Sequence, residues 1–485
     1  MAVWVMTSKG RKLWCWWFLC LILPCNSLFQ VDEDSDYEPS DEELPSKPAD
    51  DDMDQTNLED EEDDATPESE ATRSLPWSPG SRFNGCLTDH VDEVWIPPVV
   101  QRILLQIPQD PTLDHEYLPE LGISGFTRAA VKLIIGKDSR ALLQNRAGGI
   151  HTVGGPGALW LAAEFLHRWY KPTESAPATI YIAAPQLDDI GCIFEVAGFT
   201  DIRSYHYWDQ IKLVVDTERF LEEMQNAPEG AIVFLHAPEE MGLGPQDWEK
   251  VAAVMKKRRL FPLFEIATQG LVSGNLDKDA WAVRYFVDND FELLCAQSFS
   301  KIFGLYDERV GNLTVVTKDN ETLIRIQSQI AKLIAMSWFC PTSLGGRVIA
   351  MVLTCPALRH EWIQSLQALV KRIMLIREKL KEKLRILGTP GSWEHLTAQS
   401  GVFSFIGLLP SEVEFLAKQK HIYLFPNGQI NICSINSKNL DYVTQSIHEA
   451  VMATTLQDRQ SVENTEKICP RFHQQDLPSE SSSNN

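Results

Sequence analysis

Residues 296–313 read AQSFSKIFGLYDERVGNL, directly after an apolar run, 291–295, with the composition of a buried strand. The stretch places Ser298, Lys301 and Arg309 close together at the end of that strand. A hydroxyl and a guanidinium can hold a phosphate, and an amine can bond covalently to an aldehyde. A lysine taken alone reads as a solvated surface group. The hydroxyl and the guanidinium at these spacings lift Lys301 above that plain reading.

Outward from this stretch, short apolar runs recur at 179–183, 231–235, 260–264 and 313–316, with helical patterns between them. Over 158–169, Leu159, Ala162, Ala163, Leu166 and Trp169 fall near a period of 3.6. The alternation predicts an α/β domain with a mostly parallel sheet over 81–355 and a smaller α+β unit over 356–455. A long amphipathic helix lies between the two. Trp362, Leu366, Leu369, Val370, Ile373, Ile376, Leu380 and Leu384 share one face, and basic residues crowd the other. Gly388-Thr389-Pro390-Gly391 stops it.

The net charge of −23 is mostly local. Residues 31–70 carry 20 acids and one base, Lys47, whereas the rest of the chain holds 47 acids against 43 bases. So acidic and apolar-poor a segment cannot bury enough surface to offset ordering entropy, so 31–80 is expected to be a disordered linker. No basic patch argues for nucleic acid. At the start, Lys9, Arg11 and Lys12 precede an apolar run over 13–23, then Pro24 and Cys25-Asn26-Ser27. That is the pattern of a signal-like leader over 1–30, too short for a stable membrane span. Residues 456–485 read as a disordered polar tail. Of the ten cysteines, three lie in the leader, and Cys192, Cys295 and Cys433 sit in apolar contexts expected to bury them as free thiols. His151, His236 and His421 lack metal-ligand spacing, so no metal is expected, and no nucleophile-elbow or P-loop pattern occurs.

Two further features could carry chemistry. Val153-Gly154-Gly155-Pro156-Gly157 opens the helix at 158, where glycines let a ligand approach and a helix N-terminus favours an anion. Glu265 ends the run at 260–264, and a carboxylate there is costly unless it meets a cation.

With these residues in place, the chain resembles the aspartate aminotransferase family over about residues 85–453, most closely its cytosolic branch. The resemblance implies a fold-type-I α/β transferase that is a homodimer and uses pyridoxal 5'-phosphate. Its reaction is amino transfer from L-aspartate to 2-oxoglutarate, giving oxaloacetate and L-glutamate. It assigns Lys301 the covalent link to the cofactor and the proton shuttle. Gly155, Gly157, Ser298, Ser300 and Arg309 would hold the phosphate, with Tyr117 reaching across the dimer. Glu265 stands where an Asp pairs with the pyridine nitrogen.

The chain also departs from the family. Gly154 and Pro156 replace two hydroxyl residues of the phosphate turn. Leu187 replaces a Trp stacked on the ring, and Thr268 replaces a Tyr on the phenolic oxygen. The family's Asn-Pro-Thr-Gly turn is missing after His236. Gln429 and Ala335 replace the two arginines that grip the substrate carboxylates. Loss of two charge-assisted anchors costs roughly 3–6 kcal/mol, unless Lys332 or Arg347 substitutes for them. Two alternatives follow: altered specificity for a neutral or monocarboxylate amino acid, or an inactive protein keeping the fold for binding or dimerisation. The body resembles a cytoplasmic enzyme, whereas the leader, read alone, points to the secretory pathway.

Overall fold

The computed structural model describes residues 5–6, 12–13, 87–89, 93–172, 178–209, 212–237, 242–425 and 428–454. The acidic linker, the tail and nearly all of the leader lie outside them. Within the unit Met1–Arg73, Val5–Met6 pairs antiparallel with Lys12–Leu13.

The unit Ser74–Asn485 is built on seven strands: β1 (Ala147–Val153), β2 (Ile180–Ala183), β3 (Ile202–Tyr205), β4 (Ile232–His236), β5 (Phe261–Ile266), β6 (Leu293–Ser298) and β7 (Val310–Val316). They lie in the order β1-β7-β6-β5-β4-β2-β3. Only β7 runs antiparallel to its neighbours, and the remaining ladders are parallel. The sheet is mostly parallel, as the alternating pattern predicts. Strands buried on both faces read as unbroken apolar runs, which is why β2 and β4 are visible in the sequence. β1 carries two glycines and a histidine, and β3 an arginine and a serine, so neither gives that signal.

Helices cover both faces. The ones that shape the site are α1 (Pro98–Gln106), α2 (Ser124–Ile135), α3 (Gly154–Trp169), α4 (Leu187–Ala197), α5 (Ser300–Phe303), α6 (Asn320–Ser337), α7 (Leu344–Thr354), α8 (Pro356–Ile386) and α9 (Leu440–Ala453). On β6, Gln297 donates to the Ala130 carbonyl of α2, while the adjacent Ser298 lies against Gly155 of α3. Successive strand residues point to opposite faces, so α2 and α3 lie on opposite sides of the sheet.

The 31-residue α8 starts with Pro356 at its first position and ends where Gly388 turns left-handed, at φ 68°. Its expected apolar face is buried, with Val370 half-buried. One basic residue departs from the outward face expected for it: Arg377 is fully buried. Its guanidinium donates to the carbonyls of Leu396, Gly401 and Phe403 and to the Ser404 hydroxyl, at 2.7–2.9 Å. These groups flank β8 (Phe403–Phe405), which pairs antiparallel with β9 (Gln429–Asn431). Arg377→Met would leave four acceptors, three of them buried, without that donor. We expect a loss of about 3 kcal/mol or more, read as a lower urea midpoint at unchanged slope.

One apolar cluster joins α1, α2, α5, α8, α9 and β9, and a second fills the space around β4 and β5. Cys295 and Cys433 are buried as expected, but Cys192 is only half-buried, because it lies on α4 near the surface.

Candidate functional site

At the end of β6 the chain makes a tight turn into α5, and α8 fixes that turn. The Trp362 ring stacks on Phe303 with centroids 4.6 Å apart, and its indole N–H donates to the Ile302 carbonyl at 2.8 Å. Lys301, immediately before Ile302 in sequence, is half-buried. Its Nζ lies 5.3 Å from the centre of the Phe403 ring, within reach of a cation–π attraction. Phe403, Phe405 and Gln429 share one face of the β8–β9 ladder, since Phe405 pairs with Gln429 and strand residues two apart point the same way. The small sheet thus turns the face that bears Gln429 toward the lysine.

The glycine turn is placed differently from the expectation. Helix α3 begins at Gly154, four residues before 158, so the glycines form its first turn. Gly154 has φ +71°, and a Cβ there would stand 3.0 Å from Nη2 of Arg309. A Cβ on Gly155 would stand 2.8 Å from the Ser298 Cβ. Both positions therefore require glycine, whereas at Gly157 a methyl would make only ordinary contacts with Val153 and Trp338. The Gly154 amide donates to the Arg309 carbonyl at 2.7 Å. That bond holds Arg309 at φ 51°, a strained backbone for a non-glycine residue.

Arg309 is half-buried, and burial pulls its pKa below the usual guanidinium range, though it remains a cation. Its guanidinium makes no hydrogen bond or ion pair with any described residue. A desolvated, unpaired guanidinium beside the first turn of a 16-residue helix, with the Ser298 hydroxyl adjacent and Ser300 buried just beyond, is suited to a phosphate. Pro156 contributes no amide there.

Glu265 lies on β5 opposite His236 on one side and Ala296 on the other. Ser298 is two residues beyond Ala296, so Glu265 and Ser298 share the sheet face covered by α3. One carboxylate oxygen is 3.8 Å from His236 Nδ1, which is itself 3.2 Å from the Gln186 amide nitrogen. Burial, and then the Glu265 charge, push the Cys295 thiol pKa up. Thr268 is buried and its hydroxyl has no partner among the described residues. Leu187, at the first position of α4, is half-buried.

Two expected site residues lie on the surface. Tyr117 is 74% exposed and meets the Phe339 ring edge-on at 5.3 Å. Ala335 is exposed in the last turn of α6. Gln429 is buried. Lys332 is exposed one turn before Ala335, and Arg347 exerts its charge on Asp110. Three contributors escape sequence reasoning: Phe403, the Gln186–His236 pair, and Glu308. The Glu308 carboxylate accepts the Gly345 amide and so ties α7 to the turn that carries Arg309. Each acts across a long sequence separation and leaves no local pattern.

The family model for aminotransferase class I and II matches residues 94–447. The chain is 48% identical over 361 residues to aspartate aminotransferase, cytoplasmic, of Gallus gallus, covering 74% of this chain and 88% of that one. It resembles the solved aspartate aminotransferase from Saccharomyces cerevisiae cytoplasm with a TM-score of 0.72 at 33% identity, covering 76% of this chain and 91% of the other. An aromatic-amino-acid aminotransferase from Burkholderia pseudomallei, solved covalently bound to pyridoxal phosphate, gives a TM-score of 0.71 at 32% identity with the same coverage.

Proposed function

This chain belongs to the class I and II aminotransferases, and on that premise we propose that it is a pyridoxal 5'-phosphate-dependent transaminase working at Lys301. The observation that carries the reading is the unpaired, half-buried Arg309 guanidinium at the start of α3, with Ser298 and Glu265 on the same sheet face and Lys301 at the strand end. When bound, the cofactor supplies an electron sink for chemistry at the amino-acid α-carbon.

The rest is the work of this chain's own residues. Arg309, the hydroxyls of Ser298 and Ser300, and the amides of Gly155 and Gly157 hold the phosphate. Glu265 offers its carboxylate to the pyridine nitrogen, and His236, with Gln186 behind it, limits where that carboxylate can point. Leu187 covers the ring and excludes water. The partnerless Thr268 hydroxyl is a donor for the phenolic oxygen. Lys301 holds the cofactor at rest, and its Nζ moves the proton. Tyr117 lies with Met336 (74% exposed) and Phe339 (52%) among the exposed apolar residues on which we place a homodimer contact. We place the protein in the cytoplasm, after its chicken relative. The opposing reading of a secreted protein rests on residues 1–30.

The inherited reaction is amino transfer between L-aspartate and 2-oxoglutarate, weakened at its substrate end. Gln429 offers a carboxylate a neutral amide instead of a charged fork, and Ala335 offers nothing. We expect kcat/KM for aspartate roughly 10²–10⁴-fold below that of Gln429→Arg/Ala335→Arg, with neutral amino donors less affected by the change. Absorbance of the bound cofactor after mixing with a panel of amino donors measures this. If cofactor binds but no donor changes its spectrum, the second reading holds: a non-catalytic dimer that keeps the fold. The loss of both arginines favours that reading.

A further inference from the structure

We propose that a second site, remote in sequence from the Lys301 stretch, binds a small polyanion bearing phosphate or carboxylate groups. It is a cavity of about 1060 Å3 between α2, the helix Trp281–Asp288 and the corner where α7 meets α8. That volume is of the size that accommodates small-molecule ligands. This inference is independent of the transaminase reading.

The cations on its walls carry the argument. Residues 125, 128, 129 and 132 line it from one face of α2, at the i, i+3, i+4, i+7 spacing of a helical stripe. Two of them are Arg128 and Lys132, and Arg359 faces them from the first turn of α8. Neither the Lys132 ammonium nor the Arg359 guanidinium makes a hydrogen bond or ion pair with any described residue, and the Arg128 guanidinium bonds only to Ser124 of its own helix. Arg284 forms part of the frame: its guanidinium donates to the Leu133 and Ile134 carbonyls and pairs with Asp277 at 2.8 Å. Of the other acids, Asp138 lies 3.9 Å from Lys137, which leaves Asp288 against three cations without acidic partners. The buried Ser139, a lining residue, has a hydroxyl with no partner among the described residues.

Outside residues 31–70 the chain is close to electrically balanced, so a wall with this excess is a local feature. A concave surface lined by one sign of charge concentrates counter-ions. Guanidinium and ammonium groups on two facing helices can hold both ends of an anion with two or more charged groups.

The test is calorimetric titration of the full chain, saturated with pyridoxal phosphate, with inorganic pyrophosphate and separately with citrate at physiological ionic strength. We expect saturable binding of at least one, weakened at least 10-fold in Lys132→Gln/Arg359→Gln, and the two probes tell phosphate from carboxylate preference. Circular dichroism verifies that the variant is folded, and Arg128→Gln provides a milder second variant. Absence of saturable binding by both probes overturns the proposal, as does wild-type affinity in the double variant. Binding that disappears in Arg309→Gln but persists in the double variant assigns the anion to the start of α3 and also overturns it.

Discussion

Lys301→Ala is expected to reduce amino transfer by about 10³-fold or more, because in the proposed mechanism one side chain provides both the covalent hold on the cofactor and the proton transfer. Activity alone is a weak readout for a chain proposed to have a weakened substrate end, with Gln429 and Ala335 at that end. The decisive measurement is mass spectrometry after borohydride reduction, which fixes a pyridoxyl group on residue 301 of the wild type and on no residue of the variant. The variant should still fold. Lys301 is half-buried and, among the described residues, its ammonium meets only an aromatic ring, while the turn around it is held by Trp362 through Ile302 and Phe303. Pyridoxal phosphate should therefore remain bound to Lys301→Ala through the Arg309 end of the site and be released by dialysis. A wild-type protein with no adduct at residue 301 would falsify the functional account.

The second large effect concerns stability in acid. His151 lies on β1, fully buried, its ring 4.6 Å from that of Phe126, and neither ring nitrogen has a hydrogen-bond partner among the described residues. Burial lowers its pKa from 6.5 to about 3. The unfolded chain takes up a proton on this side chain near pH 6.5, and the folded chain does not do so until about pH 3. Its contribution is thus fully present above pH 6.5 and is lost as pH falls from there toward 3. At a pH about two units below the unfolded value the loss amounts to roughly 3 kcal/mol. His151→Leu keeps a side chain of similar volume and removes this term. Urea denaturation of both proteins across that range should show the wild type losing stability more steeply than the variant. Parallel acid limbs would show that the ring is solvated or hydrogen-bonded in solution.

The parts of the fold visible in the sequence are those whose physics is local. Buried parallel strands appear as apolar runs, and α8 shows through its heptad-like stripe and its glycine stop. β1 was hidden because its glycines make room for tight neighbours: a Cβ on Gly148 or Gly149 would collide with Gln327 or Asn312. Its histidine likewise answers to helix packing and not to strand preference. Arg377 was hidden because nothing adjacent in sequence tells a buried arginine from its exposed neighbours on a basic helix face. Its acceptors lie 19 to 27 residues away.

The candidate site divides in the same way. Ser298, Lys301 and Arg309 sit within one strand–turn–strand segment, so their convergence could be read directly. Gly155 could be anticipated as a close approach, but not that Ser298 is what it approaches. Tyr117 and Ala335, expected at the site, are on the surface of the single chain, where only a second copy could return them to a cofactor.

Helix α8 touches the amine's surroundings twice. Near its beginning Trp362 grips the backbone beside Lys301, and fifteen residues later Arg377 grips the backbone of Phe403, whose ring covers the same ammonium. The two grips are about 22 Å apart along one continuous rod. Floor and roof of the lysine chamber are therefore hung from a single beam. Any ligand that lifts the aromatic roof must bend that beam or break one of its two fastenings, so the stiffness of a helix with no glycine or proline after its first residue sets how readily the chamber opens.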